Sequence, residues 1–209
     1  MRASSTTTLA TALATRTGSL DASFSAKIVL VLFVAALTAA SAQVSVPLPF
    51  SPVPFTLQPM VVLLGGLALG SRLGSASQAL YLLAGVVGLP VFAASVTLPP
   101  GPLRLLGPSG GYLMAYPLAA FLAGCLAERG FDRRYLTSVV AMLAGLLVIY
   151  TGGATWLGLF ARAGGGDAAI GIPAALASGV YPFVLPDLVK LAAAAGVLPA
   201  VWRVIDRGR

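Results

Sequence analysis

Sustained apolar runs dominate the chain, and short stretches rich in proline, glycine or charge punctuate them. The runs cover Ile28 to about Val44, Pro59 to Leu69, Ser75 to Leu89, Ser109 to Leu126 and Leu136 to Phe160. A last helical stretch starts at Ile172, is interrupted near Pro182 and Pro186, and continues to about Ile205. A bilayer span needs about 20 largely apolar residues, and a chain in lipid must satisfy its backbone polar groups internally. The pattern predicts an all-α integral membrane protein, a bundle of six transmembrane helices forming one domain over residues 26–209. Residues 1–25 are rich in Ser, Thr and Ala without a sustained apolar run, which predicts a flexible cytoplasmic N-terminal tail.

The connections carry their own signals. Val46-Pro-Leu-Pro-Phe-Ser-Pro-Val-Pro-Phe-Thr-Leu-Gln58 has prolines at 47, 49, 52 and 54, which forbid helix and favour extended backbone. Gly70-Ser-Arg-Leu-Gly74 and Glu128-Arg-Gly-Phe-Asp-Arg-Arg134 are turns. Pro90–Pro108 is a Pro/Gly-rich loop, and Ala161–Gly171 a Gly-rich one.

Composition strengthens the membrane reading. Of 209 residues 58% are hydrophobic and 9% charged, against about 25% charged in soluble domains. The net charge of +7 is topological and does not point to nucleic acid. Ten of the thirteen Lys and Arg residues, from Arg2 to Arg209, fall on the side of the termini. Arg104 and Arg162 fall on the opposite side, and Lys190 lies within a span. An even number of spans with both termini cytoplasmic, in the cell inner (plasma) membrane, fits the positive-inside bias. A cleaved secretory signal is the alternative at the start, since Lys27, Ile28–Ala40 and Ala40-Ser-Ala42 have that form. The chain has no histidine, six acidic residues and one cysteine, Cys125. That argues against a metal centre, a cofactor and the commonest general base.

Asp187 and Lys190 are the foremost candidate site residues. Ionisable groups inside a span are costly unless paired or facing a cavity, and i, i+3 spacing puts both on one helix face. Following Pro186, Asp187 is expected in the first turn of the last helix, near its positive dipole end. A purely structural ion pair, or Lys190 as an interfacial anchor, is the alternative. Gly107-Pro-Ser-Gly-Gly-Tyr112 opens the fourth span, and there Ser109, Gly110, Gly111 and Tyr112 could give backbone N–H groups to a polar ligand. Simple packing through small residues competes with that reading. Gly107-Pro-Ser-Gly110 is also similar to the serine motif of intramembrane rhomboid-type proteases. Those use a histidine, so a hydrolase would need a Ser109–Lys190 dyad. The proline-rich segment is either a rigid linker or a cap with Phe50, Phe55, Thr56 and Gln58 over a ligand. Ala35 with Ala39, and Ala36 with Ala40, form a small-residue stripe for close helix contact, within the fold or with a partner. Tyr150, Trp156, Tyr181 and Phe183 are expected in the interfacial belt, where some could also contact a ligand.

Four motifs in order resemble the BioY family, the biotin-binding S components of energy-coupling factor (ECF) transporters. They are Val46–Gln58, Gly88-Leu-Pro-Val-Phe92, Gly107-Pro-Ser-Gly-Gly-Tyr-Leu113 and Pro182-Phe…Asp187-Leu-Val-Lys190, and the resemblance runs from about residue 28 onward. It implies a six-helix substrate-binding domain that takes biotin from the extracytoplasmic side, without enzymatic activity. It also implies a transmembrane T component and cytoplasmic ATP-binding subunits as partners. The alanine stripe matches the family's motif for docking the T component, and Asp187 and Lys190 match its ligand-contacting Asp-x-x-Lys. On this basis Asp187 is expected to accept from the ureido N–H groups and Lys190 to meet the valerate carboxylate. Leu185-Pro186 stands where the family usually has Pro-Gly, and the loop Ala93–Leu106 holds Leu-Pro-Pro-Gly where relatives are often glycine-rich. An S component for another small vitamin and a stand-alone biotin carrier are the neighbouring alternatives.

Overall fold

The computed structural model describes residues 8–9, 20–95, 98–161 and 170–207. Most of the expected tail, Arg162 with the greater part of its Gly-rich loop, and Arg209 lie outside the described residues. Thr8 and Leu9, the described part of the tail, are packed into the protein, Leu9 against the main core and Thr8 beside Gly70.

Helix α1 spans Leu20–Gln43 and starts earlier than its apolar run. Strands β1 (Ser45–Val46) and β2 (Phe55–Thr56) then form a short antiparallel hairpin, with Ser45 opposite Thr56 and Val46 opposite Phe55. The four prolines between them make the tip, as their inability to continue a helix demands. Helices α2 (Gln58–Leu69) and α3 (Ser71–Val86) follow, then a one-turn helix α4 (Leu103–Leu106), α5 (Gly110–Ala127) and α6 (Tyr135–Leu159). The chain ends in α7 (Ile172–Gly179), α8 (Tyr181–Ala194) and α9 (Val197–Arg207). Stretches 24–43, 110–127, 135–159 and 181–206 are long and apolar enough to cross a membrane. The shorter α2 and α3 complete a six-layered helical bundle, with α8 and α9 together as the sixth layer.

Helix α2 is apolar on every side and therefore sits inside. It touches α1, α3, α5, α6 and α8, with Val62, Leu63 and Leu67 fully buried. Its approach to α5 depends on Gly66, where a Cβ would collide with the Ala120 backbone. Small residues at such crossings let helices in lipid gain dispersion contacts that larger side chains would block. The turn into α3 needs φ +85° at Gly70, a region open to glycine. Glu128, at the end of α5, accepts from the Ser71 N–H (2.8 Å) and hydroxyl (2.7 Å) and so caps α3. Because of this cap, α3 begins four residues earlier than the apolar pattern predicts. Within the bundle, Gln78 on α3 donates to Thr38 on α1 at 3.2 Å.

The last span departs most from the sequence reading. Its first break falls at Val180 (φ −123°, ψ −61°), close to Pro182 as expected, but the second falls at Gly196 and not near Pro186. Pro182 occupies the first turn of α8, where a missing N–H costs nothing. Pro186 lies inside the helix. Asp187 is therefore well within α8 and not in its first turn, so the helix terminus does not compensate its charge.

Candidate functional site

A cavity of about 640 Å³ opens where the hairpin, the loop before α5, and the ends of α5, α6 and α8 converge. Its wall is mostly apolar, with Phe92, Tyr112, Tyr116, Tyr150 and Phe183 as its aromatic side chains. Polar groups are few: Gln58, Ser109, Arg104, Asp187 and Lys190 among them. An apolar hollow of several hundred Å³ with sparse, placed polar groups is the usual form of a small-molecule site.

Helix α8 supplies the charged part because of its periodicity. Phe183, Asp187, Leu191 and Ala194 are buried on one face, and Leu185, Leu188 and Val189 are exposed on the other. Asp187 is 2% exposed. The Tyr150 hydroxyl on α6 donates to its Oδ2 at 2.6 Å, and Lys190 pairs with its Oδ1. Lys190 also donates from Nζ to the Thr56 carbonyl at 2.7 Å and stands 4.0 Å from the centroid of the Phe55 ring. A lone charge here would cost several kcal/mol by desolvation. The pair is neutral as a unit and is held by groups from α6 and β2.

Gln58, 3% exposed, lines the cavity and donates its amide N–H to the Tyr81 hydroxyl at 2.7 Å. Tyr81 in turn donates to the Val91 carbonyl at 3.3 Å and meets Phe92 edge to face. Arg104 organises the neighbouring loop, donating to the carbonyls of Ala93 (2.7 Å) and Pro99 (3.1 Å). Partial burial lowers its pKa from the ordinary value, and an arginine stays charged after such a shift. No carboxylate among the described residues pairs with it.

The expected site residues thus divide. Asp187, Lys190, Tyr112, Ser109 and Gln58 all line the cavity. Phe55 lies behind, under the Lys190 ammonium. Gly110 and Gly111 are not on the wall: a Cβ on either would strike Leu105 or Trp156 and Gly152, so they serve close packing. Tyr112 is held by its hydroxyl, which donates to the Gly179 carbonyl at 2.7 Å. The partners of Lys190 are Asp187 and Thr56, not Ser109, so no serine–lysine dyad is assembled.

The alanine stripe also divides. Ala35 and Ala39 pack against the core, while Ala36 and Ala40 lie on the exposed face with Leu32, Phe33 and Leu37. Tyr150 and Phe183, expected in the interfacial belt, face the cavity. Trp156 donates to the Gly107 carbonyl at 3.0 Å, and Tyr181 is exposed. Arg104 and Tyr116 are among the wall residues that the sequence reading did not single out as site residues, and Tyr150 and Phe92 entered it only as a belt aromatic and as the end of a motif. Their only signal is proximity to span ends or to a loop, which many side chains share.

The model of the BioY family matches residues 8–207. This chain belongs to the BioY family. The match begins inside the segment expected as a tail and so extends the resemblance by some 20 residues toward the N-terminus. The chain is similar to the probable biotin transporter BioY of Pyrococcus horikoshii, at 45% identity over 79% of this chain and 89% of that protein. Against the biotin transporter BioY of Thermotoga maritima the identity is 39%, over 77% and 86%. Its fold resembles the crystal structure of the S-component for biotin from an ECF-type ABC transporter, with TM-score 0.72, 25% identity, and 85% and 90% of the two chains covered. Membership of BioY, a family of transporters, and the several apolar helices make this a multi-pass membrane protein.

Proposed function

We propose that the cavity binds biotin, and that the chain is the S component of an ECF-type transporter. The observation that carries this reading is Asp187, a buried carboxylate on the wall of an apolar hollow. A carboxylate has about four acceptor sites, so contacts from Tyr150 and Lys190 leave capacity for ureido N–H donors. Gln58, on the same cavity wall, adds an amide. The bicyclic body of biotin packs on Tyr112, Tyr116, Phe92 and Phe183. The names of the relatives support biotin over other vitamins.

For the valerate carboxylate, Arg104 is a better partner than Lys190. Arg104 lines the cavity without an acidic partner among the described residues, whereas the Lys190 charge is already matched by Asp187. The chain takes no part in bond chemistry. Energy comes from a T component and cytoplasmic ATP-binding subunits. The distribution of basic residues supports an orientation with both termini in the cytoplasm and the cavity on the extracytoplasmic side.

The test is binding of labelled biotin to the purified protein in detergent. Saturable, stoichiometric binding that biotin displaces and other vitamins do not is expected. A protein that stays folded and binds no biotin would exclude the reading.

A further inference from the structure

The contacts of Lys190 point to a role other than receiving the ligand's anionic end. An ammonium has three donors and no acceptor. Lys190 is ion-paired with Asp187, donates to the Thr56 carbonyl at 2.7 Å, and has the Phe55 ring centroid 4.0 Å from its nitrogen. Phe55 and Thr56 are consecutive and make up β2, so the hydrogen bond and the ring contact of Lys190 both go to the hairpin. Lys190 and Thr56 are 134 residues apart in sequence, so the bond ties the last span to the segment that roofs the cavity.

The hairpin needs such a tie. Each strand has two residues, and an isolated two-stranded hairpin is marginal at best. Its tip is rich in proline, which removes backbone donors that could hold it. Asp187, the Thr56 carbonyl and the Phe55 ring already surround the ammonium, so a ligand carboxylate would have to share it with them.

We propose that Lys190 is a positioning residue that fastens the strand Phe55–Thr56 over the cavity, and that it is not the cation for the ligand's carboxylate. Lys190 thereby couples the seat of the ligand's N–H groups to the roof. The ligand-binding part of this inference rests on the biotin reading; the fastening itself does not.

Hydrogen–deuterium exchange on the full chain in detergent, without ligand, tests the fastening. Amides of the peptide covering residues 45–56 should exchange at least tenfold faster in Lys190→Met than in the unaltered protein. Lys190→Arg, which keeps charge and donors, should restore most of the protection. If Lys190→Met does not fold, the charge-balanced pair Asp187→Asn with Lys190→Met takes its place in the comparison. Unchanged exchange in the hairpin overturns the proposal.

The second arm compares biotin with biotinamide, which lacks the anionic end. In Lys190→Met, biotin should dissociate about tenfold faster, while the ratio of affinities for biotin and biotinamide stays as in the unaltered protein. A ratio that collapses to one makes Lys190 the carboxylate's partner and overturns the proposal. An unaltered protein that binds neither compound defeats the biotin reading, and the exchange arm then decides the fastening alone.

Discussion

Two buried aspartates sit at opposite ends of the bundle, and their first neighbours look alike. Asp187 accepts from Tyr150 at 2.6 Å and pairs with Lys190. Asp132, in the turn between α5 and α6, accepts from the Trp202 indole at 2.6 Å and has Arg133 at 3.7 Å. Arg133 also lies 3.6 Å from the centroid of the Trp202 ring, which closes the cluster on itself. Burial pushes the Asp132 carboxyl up, and the Trp202 N–H and Arg133 pull it back. Asp132 is fully buried and is not on the cavity wall. A carboxylate with an aromatic donor and a nearby cation is thus a joint at one end and a candidate receptor at the other. The adjoining hollow makes the difference, and the chemistry of the side chains alone does not.

Substitutions at the two ends should separate receptor from joint. The largest effect is expected for Asp187→Asn, which turns an anionic acceptor into a neutral one for two N–H donors. Biotin affinity, measured by equilibrium binding, should fall on the order of 100-fold, from charged hydrogen bonds each contributing about 1.5–3 kcal/mol. Tyr150→Phe removes one donor from the same carboxylate and leaves its shape free to adjust. A loss of about tenfold is expected in the same assay, which is at the low end of that range. Arg104→Gln should weaken biotin about fivefold and biotinamide hardly at all, because the cation is partly exposed and screened. An equal loss for both compounds would place the carboxylate elsewhere.

At the other end, Asp132→Asn should leave biotin affinity unchanged and alter only the response of stability to pH. A carboxyl whose pKa is raised on folding favours its protonated form. The stability it contributes is therefore present at low pH and lost as pH rises from about 4, the ordinary value, through the shifted one. Thermal unfolding in detergent should show that decline in the unaltered protein and a flatter profile in the asparagine variant. A fall in affinity of tenfold or more would mean that the two ends are coupled.

Much of the fold was legible because lipid enforces simple rules. Long apolar runs had to be helices, and four prolines within eight residues had to be something else. Asp187 and Lys190 stood out because charge is rare in such runs. What stayed hidden depended on residues far apart in sequence. Glu128 caps Ser71 from 57 positions away, and no local pattern announces it. Two prolines competed to start α8, and spacing alone could not choose Pro182 over Pro186. Tyr150 and Phe183 were read as belt residues because an aromatic near a span end carries the same signal whether it faces lipid or a cavity. Gly110 and Gly111 were read as donors, although bulky neighbours such as Trp156 reserve them for packing.

Helix α2 has 12 residues, a rise of about 18 Å at 1.5 Å per residue, against a hydrocarbon slab of about 30 Å. It is little more than half as long as that slab is thick, so α2 alone cannot cross it. Irregular backbone cannot face acyl chains within the slab, and the hairpin joined to the start of α2 instead lies along the cavity wall. The cavity meets α2 only at Gln58 and Pro59, so one short helix, roughly 18 Å of rise, is all that separates it from the turn at Gly70.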